Sequence, residues 1–267
     1  MPSGQVRLRF THGNPAVSVR EITGREEWSV REASTKAAVD LLTRLVEWPA
    51  GLVMQADVLA APDRDALLAS IYADTYGNTV ESTGLCSECS SRYDIRFSLD
   101  DLKASVERIA ARSQVESDSD GTFRTASGVR FRLATARDEI EVSRMPQEEA
   151  ARALASRCLV DTPVGTCTSN EELLAEVDSA LEEVAPMLSV DVSARCPECS
   201  APQQIRFDMQ FYLLRALEQE RIRLGREIHR IASTYQWSLD DILSLERSER
   251  RRLVQLIEAD LAARRRS

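Results

Sequence analysis

The chain has 267 residues, enough for two small domains or one larger one with a real core. Apolar residues make up 43% and charged residues 29%, an ordinary globular balance, and the formal net charge of -9 weighs against a nucleic-acid backbone as the main partner. No stretch approaches the roughly 20 apolar residues that a membrane span needs. Met1–Phe10 holds no apolar run of signal-peptide length, so the expected setting is the cytoplasm. Thiols are kept reduced there, and the six cysteines therefore read as metal ligands or buried side chains before disulfides.

In chain order, VSVREITGREEWSV (Val17 to Val30) opens a unit of strand or hairpin, and short helices follow over Ala38 to Val46 and Asp63 to Tyr76. Next comes VESTGLCSECSSRYDIRF (Val80 to Phe97), in which Tyr93, Ile95 and Phe97 alternate after a Cys-x-x-Cys turn, and then a helix. SQVESDSDG (Ser113 to Gly121) is polar, acidic and free of a core pattern, which reads as a linker. Beyond it Val129, Phe131 and Leu133 alternate in a strand, helices are expected over Ala151 to Leu159 and Asn170 to Val184, and VDVSARCPECSAPQQIRF (Val190 to Phe207) ends the series.

The order is that of a duplication. The two cysteine segments align without a gap at an offset of 110, with Val80, Cys86, Glu88, Cys89, Ser90, Ile95, Arg96 and Phe97 repeated identically. Upstream, Arg20, Thr23, Arg25 and Glu27 pair with Arg132, Thr135, Arg137 and Glu139 at an offset of 112. The expected organisation is repeat unit one over 1–112, a linker over 113–121, repeat unit two over 122–218 and a helical C-terminal extension over 219–267. The fold class is α+β: two tandem repeats of helices plus a zinc-knuckle β-hairpin, then the helical extension.

A tight Cys-x-x-Cys turn aims two thiolates at one point, and a structural zinc ion takes four in a tetrahedron. Each unit supplies two, so Cys86, Cys89, Cys196 and Cys199 are expected to share one structural Zn2+ across a pseudo-two-fold axis. Four sulfurs leave no open position for water or substrate. The turns lie between strands rather than at a helix N-terminus, which argues against a thioredoxin-like redox pair. Cys158 and Cys167 read either as buried apolar thiols or as a second metal site. His12 and His229 have no spaced metal partner. No phosphate loop, nucleophile elbow or dinucleotide fingerprint occurs, and the chain is not expected to be an enzyme.

In the extension, FYLLRALEQERIRLGREIHRIASTYQW reads as one long helix, Ser238 with Asp241 as a capping box, and the residues from about Ser248 as a last helix. Leu224, Ile228, Ile231 and Tyr235 continue an apolar stripe on the long helix, and Leu253, Leu256, Ile257 and Leu261 form another on the last one. Together with Trp237 they are candidates for binding a partner; packing on the protein's own body is the alternative.

EIHRIASTYQWSLDDILSLERSERRRLVQLI resembles the C-terminal segment of small proteins encoded with contractile tails. GVRFRLATARDEIEV and the CPEC turn also resemble the baseplate hub and hub-assembly chaperone family of T-even-like phages and bacterial contractile injection systems. The resemblance implies an assembly chaperone or minor structural component of a baseplate hub, with hub or spike proteins of a contractile tail as partners. The alternative expectation is a zinc-ribbon nucleic-acid or transcription adaptor, for which Arg92, Arg96, Arg195 and Arg206 are the candidate basic residues.

Overall fold

The computed structural model describes residues 4–52, 54–161 and 170–264. The chain opens with two short antiparallel strands, β1 (Gln5–Arg7) and β2 (Ala16–Val19), followed by α1 (Gly24–Ser29) and α2 (Thr35–Leu45). Thr23 starts α1 with a complete capping box closed by Glu26, and Ser34 caps α2 by accepting from the Ala37 N–H. α2 buries Ala38, Leu41, Leu42 and Leu45, a three-and-four spacing that turns one face inward. β3 (Val46–Glu47) then pairs with β2 in the sheet order β1-β2-β3.

A 3-10 turn (Ala56–Val58) leads into α3 (Ala61–Tyr76), with Pro62 in its first turn, where no N–H is needed. The hairpin of β4 (Thr79–Leu85) and β5 (Arg92–Ser98) follows, and α4 (Leu99–Ala110) leaves it, capped by Ser98.

The same order of strand, strand, helix, helix, strand, helix, hairpin and helix then recurs. Its elements are β7 (Phe123–Arg124), β8 (Arg130–Phe131), α5 (Ala136–Val142), α6 (Gln147–Cys158), β9 (Leu159–Asp161), α7 (Asn170–Val184), β10 (Ser189–Arg195), β11 (Pro202–Asp208) and α8 (Met209–Tyr235). α5 is capped by Thr135 with Asp138, as α1 is by Thr23 with Glu26. The segment read as a plain linker contains β6 (Glu116–Ser117), which pairs with β7 and extends the second sheet to the order β6-β7-β8-β9. The fold class is α+β, as expected, with antiparallel sheets and helices around them.

Two cores divide the chain unevenly. The smaller packs Phe123, Val129, Phe131, Leu133, Cys158, Leu173 and Val177 of the second half. The larger contains Leu8, Val17, Leu41, Leu42, Leu67, Leu68 and Ile71 of the first half, and also Phe207, Met209, Leu213, Leu214 and Leu217. The second hairpin and the start of α8 are thus built into the first half. Each fully buried Leu contributes roughly 1.5–3 kcal/mol of hydrophobic stabilisation. α8 runs unbroken across 218–219, where the sequence suggested that an extension begins, so that boundary falls inside one helix. After α8 the chain turns at Gln236, in the left-handed region with φ 59°, into α9 (Leu239–Ser244) and α10 (Arg247–Arg264). These fold back and bury Ile231, Ile242 and Ile257 in a small core of their own.

Candidate metal centre

The two cysteine hairpins have the same register. Thr79 faces Ser98 and Leu85 faces Arg92 in the first; Ser189 faces Asp208 and Arg195 faces Pro202 in the second. Beyond the last pair each strand enters the same turn. Cys86 N–H donates to Ser91 O at 3.0 Å and Ser90 N–H to Cys86 O at 3.0 Å. In the second turn Cys196 N–H donates to Ala201 O at 3.0 Å and Ser200 N–H to Cys196 O at 2.9 Å. The turn forces a positive φ on the residue after the second cysteine, 58° at Ser90 and 63° at Ser200.

The hairpins meet with their tips together. Cys86 Sγ lies 3.6 Å from Cys199 Sγ, and Cys89 Sγ lies 3.7 Å from Cys196 Sγ. All four sulfurs fall within 4.8 Å of one another. The first cysteine of each turn meets the second of the other, which is the crossed pairing of a two-fold axis. Phe97 and Phe207, equivalent by the repeat, meet edge to face at 5.1 Å and 88°. Four sulfurs bound to zinc at about 2.3 Å in a tetrahedron stand about 3.8 Å apart, so the cluster has the size such an ion requires.

Cys86 and Cys196 are buried, whereas Cys89 and Cys199 are exposed. Tyr93 and Ile95 pack beneath the cluster. A Cβ on Gly84 would lie 2.9 Å from the Tyr93 ring, so the first hairpin needs glycine opposite tyrosine. The second has Ala194 opposite Gln203, and the Gln203 amide oxygen accepts from the Ser87 N–H at 3.0 Å, tying one turn to the other. The Cys89 thiol is drawn down to about 6, first by hydrogen bonds from Ser91. At Cys199 the Ala201 N–H favours the thiolate but is outweighed by the neighbouring thiols and burial, and the group is pushed up to about 12. Four negative sulfurs cannot coexist this closely without a cation, and a cation at their centre removes the conflict. The cluster can therefore hold a metal ion, and a tetrahedral ion bound by all four has no position left for a substrate.

The remaining candidates are placed apart from this centre. Cys158 is wholly buried in the second core, where burial raises its thiol to about 11, and Cys167 lies outside the described residues. His12 and His229 are exposed. Of the four arginines considered for nucleic acid, Arg96 pairs with Glu81 and Arg206 with Asp191 across their strands, while Arg195 donates to Ser200 O. Among the described residues no helix is long and apolar enough to cross a membrane.

The apolar stripes expected to bind a partner are divided by the structure. Leu224, Ile231 and Ile257 are buried within the chain, with Ile228 and Leu253 packed against the same small core as Ile231 and Ile257, because α9 and α10 fold onto α8. These five serve internal packing. Tyr235, Trp237, Leu256 and Leu261 remain exposed, and the Tyr235 and Trp237 rings lie 5.5 Å apart at the α8–α9 corner.

A buried ionic group went unread in the sequence. Glu27 accepts from Arg247 at 3.1 Å and also from Arg250, Arg250 reaches Glu227 at 3.3 Å, and Arg247 pairs with Glu220. Desolvation raises the Glu27 carboxyl even against these two guanidinium groups. The arginines near the start of α10 oppose its helix dipole, and the carboxylates that offset them lie within the chain. That unfavourable position was the legible signal.

No family model, curated protein or solved structure matches the chain.

Proposed function

We propose that the four knuckle thiolates bind one structural zinc ion joining the two halves, and that the protein is a non-catalytic assembly factor, or a minor structural component, of the baseplate hub of a contractile tail-like injection system. The observation carrying the metal reading is the crossed sulfur cluster, of zinc size and full at four ligands. The reaction-free reading follows from the same saturation. The assembly reading rests on the resemblance of the segment from Glu227 to Ile257, of the segment from Gly128 to Val142 and of the second knuckle. An exposed apolar corner at Tyr235, Trp237 and Leu239 gives such a factor a contact surface.

Two measurements test the proposal. Metal analysis of protein purified without added metal should return one zinc per chain; a metal-free, fully stable protein overturns the first part. A tagged chain recovered from its host should bring hub or spike proteins with it. Their recovery, with the chain absent from finished tail-like particles, identifies an assembly chaperone, and its presence in particles identifies a structural part. If no hub or spike protein is recovered and the chain is absent from the particles, the assembly reading is overturned.

A further inference from the structure

We propose that the N-terminal end of α1 is a receptor for a transferable helical docking element, and that the chain's own segment Leu239–Arg250 occupies it in cis. This goes beyond the assembly reading and depends on neither the metal nor the baseplate. It rests on a contact the chain makes twice with different sequences.

The two receptors are the repeated segments around the capped helices. In the first, Arg20 holds Glu26 at 2.8 Å and Thr23 caps α1; in the second, Arg132 holds Asp138 at 2.7 Å and Thr135 caps α5. Each receptor grips its ligand at three equivalent points. The arginine one residue into the helix pairs with an aspartate on the ligand's first turn, Arg25 with Asp240 at 2.7 Å and Arg137 with Asp57 at 2.9 Å. The first N–H of the helix donates to a leucine carbonyl, Gly24 to Leu245 at 3.2 Å and Ala136 to Leu59 at 3.3 Å. The glutamate of the first turn then takes an arginine five residues past that leucine, Glu27 with Arg250 and Glu139 with Arg64, the latter at 2.7 Å. Isolated antiparallel bridges join Thr23 to Glu246 and Thr135 to Ala60, again the same positions.

The ligand of the second receptor is the 3-10 turn and start of α3, part of the first half. That of the first receptor is α9 and the start of α10. The C-terminal segment thus sits on the first receptor as the 3-10 turn and start of α3 sit on the second. Between the ligands the shared chemistry is an acidic residue on a short helical turn, a leucine, and an arginine buried five residues later. The receptor on α1 thus recognises that class of helical segment, and its ligand reaches it through a single elbow at Gln236.

The test uses the full-length chain and a labelled synthetic peptide of residues 237–264. Arg250→Glu places a third carboxylate beside Glu27 and Glu227 and should expel the cis segment. The variant should then bind the peptide at least tenfold more tightly than the wild-type chain, whose receptor is filled. Adding Glu27→Gln, or using a peptide with Arg250→Ala, should remove that gain. Failure of a folded Arg250→Glu chain to bind, or binding indifferent to Glu27, overturns the proposal. Should that variant not fold, hydrogen exchange on milder ones decides. Glu27→Gln should speed exchange of the Gly24 amide about tenfold and leave Ala136 unchanged, and Glu139→Gln should do the reverse. Equal responses at both amides, or none, refute two equivalent, separately occupied receptors.

Discussion

Ser90 and Ser200 sit in the left-handed region because the knuckle turn must reverse within one residue of its second cysteine. A side chain there costs about 1–2 kcal/mol, which glycine avoids at the expense of a more flexible unfolded chain. Ser90→Gly and Ser200→Gly should each stabilise the protein, loaded with the proposed zinc, by about 0.5–1 kcal/mol, additively, as read by urea denaturation. A loss would mean that the serines serve the metal directly. Asp65 carries a different local cost. Burial raises its carboxyl to about 7, although Arg64 opposes the shift, and its oxygen accepts from the Leu188 N–H at 2.9 Å. Below about pH 3 both folded and unfolded states hold the proton. Between about 4 and 7 the unfolded chain ionises first, so stability drains away as pH rises; above 7 the loss is constant. Asp65→Asn keeps the acceptor and removes the charge. It should leave stability unchanged below about pH 3 and raise it progressively between about pH 4 and 7, by up to about 4 kcal/mol, each tenfold in proton affinity being about 1.4 kcal/mol. Denaturation across that pH range checks the slope, and a destabilised variant at pH 7 would mean that Arg64 needs the carboxylate.

At the scale of elements, the longer helices, the knuckle strands and the Ser238 cap were legible because their signals are local, whereas the short α1 and α5 were not expected. Thr23, Thr135 and Ser238 each precede an acid three residues on, and the alternation of Val129, Phe131 and Leu133 shows which strand face turns inward. The match of Arg20, Thr23, Arg25 and Glu27 to the second unit was legible as a repeat but not as a receptor. Its ligands share only an aspartate, a leucine and an arginine, and the aspartate stands two residues before the leucine in one and five in the other. Burial ranks the two contacts energetically. Arg250 and Glu27 have side chains 1% and 4% exposed, whereas Arg64 is 4% exposed and its partner Glu139 is 20% exposed. Removing one member of a buried pair strands the other charge and costs about 3–5 kcal/mol, and water reaching the partner lowers the penalty. Arg250→Ala should therefore cost about 3–5 kcal/mol and Arg64→Ala about 2 kcal/mol in thermal or chemical unfolding. The reverse order would show that α3, anchored on both sides by the main core, depends more on its arginine than α10 does.

The two halves are joined by the knuckles, by α8 and by the docking of α3 on α5, and only the first of these was legible. The crossed knuckles follow from two Cys-x-x-Cys turns at a constant offset, since each unit holds half of a tetrahedral site. The insertion of Met209, Leu213, Leu214 and Leu217 into the first half did not follow, because an apolar stripe says that a helix face is covered and not by what. These joints predict how the protein responds to loss of metal. The α8 insertion buries whole side chains in the larger core and should keep the halves together without an ion. The knuckle core is small, with Cys86, Tyr93, Ile95 and Cys196 as its buried members, and on the proposed reading the ion holds its sulfurs at contact. An ion bridging Cys86 to Cys199 and Cys89 to Cys196 closes loops spanning 113 and 107 residues. Closing a loop of about 100 residues removes roughly 4.7 kcal/mol of unfolded-state entropy. Chelation, or serine at all four cysteines, should thus lower stability by about 5 kcal/mol. Hydrogen exchange should accelerate first in β4, β5, β10 and β11 while α3 and the start of α8 stay protected. A quadruple serine variant as stable as the parent would remove the structural role from the metal and leave α8 and the docking of α3 on α5 to join the halves.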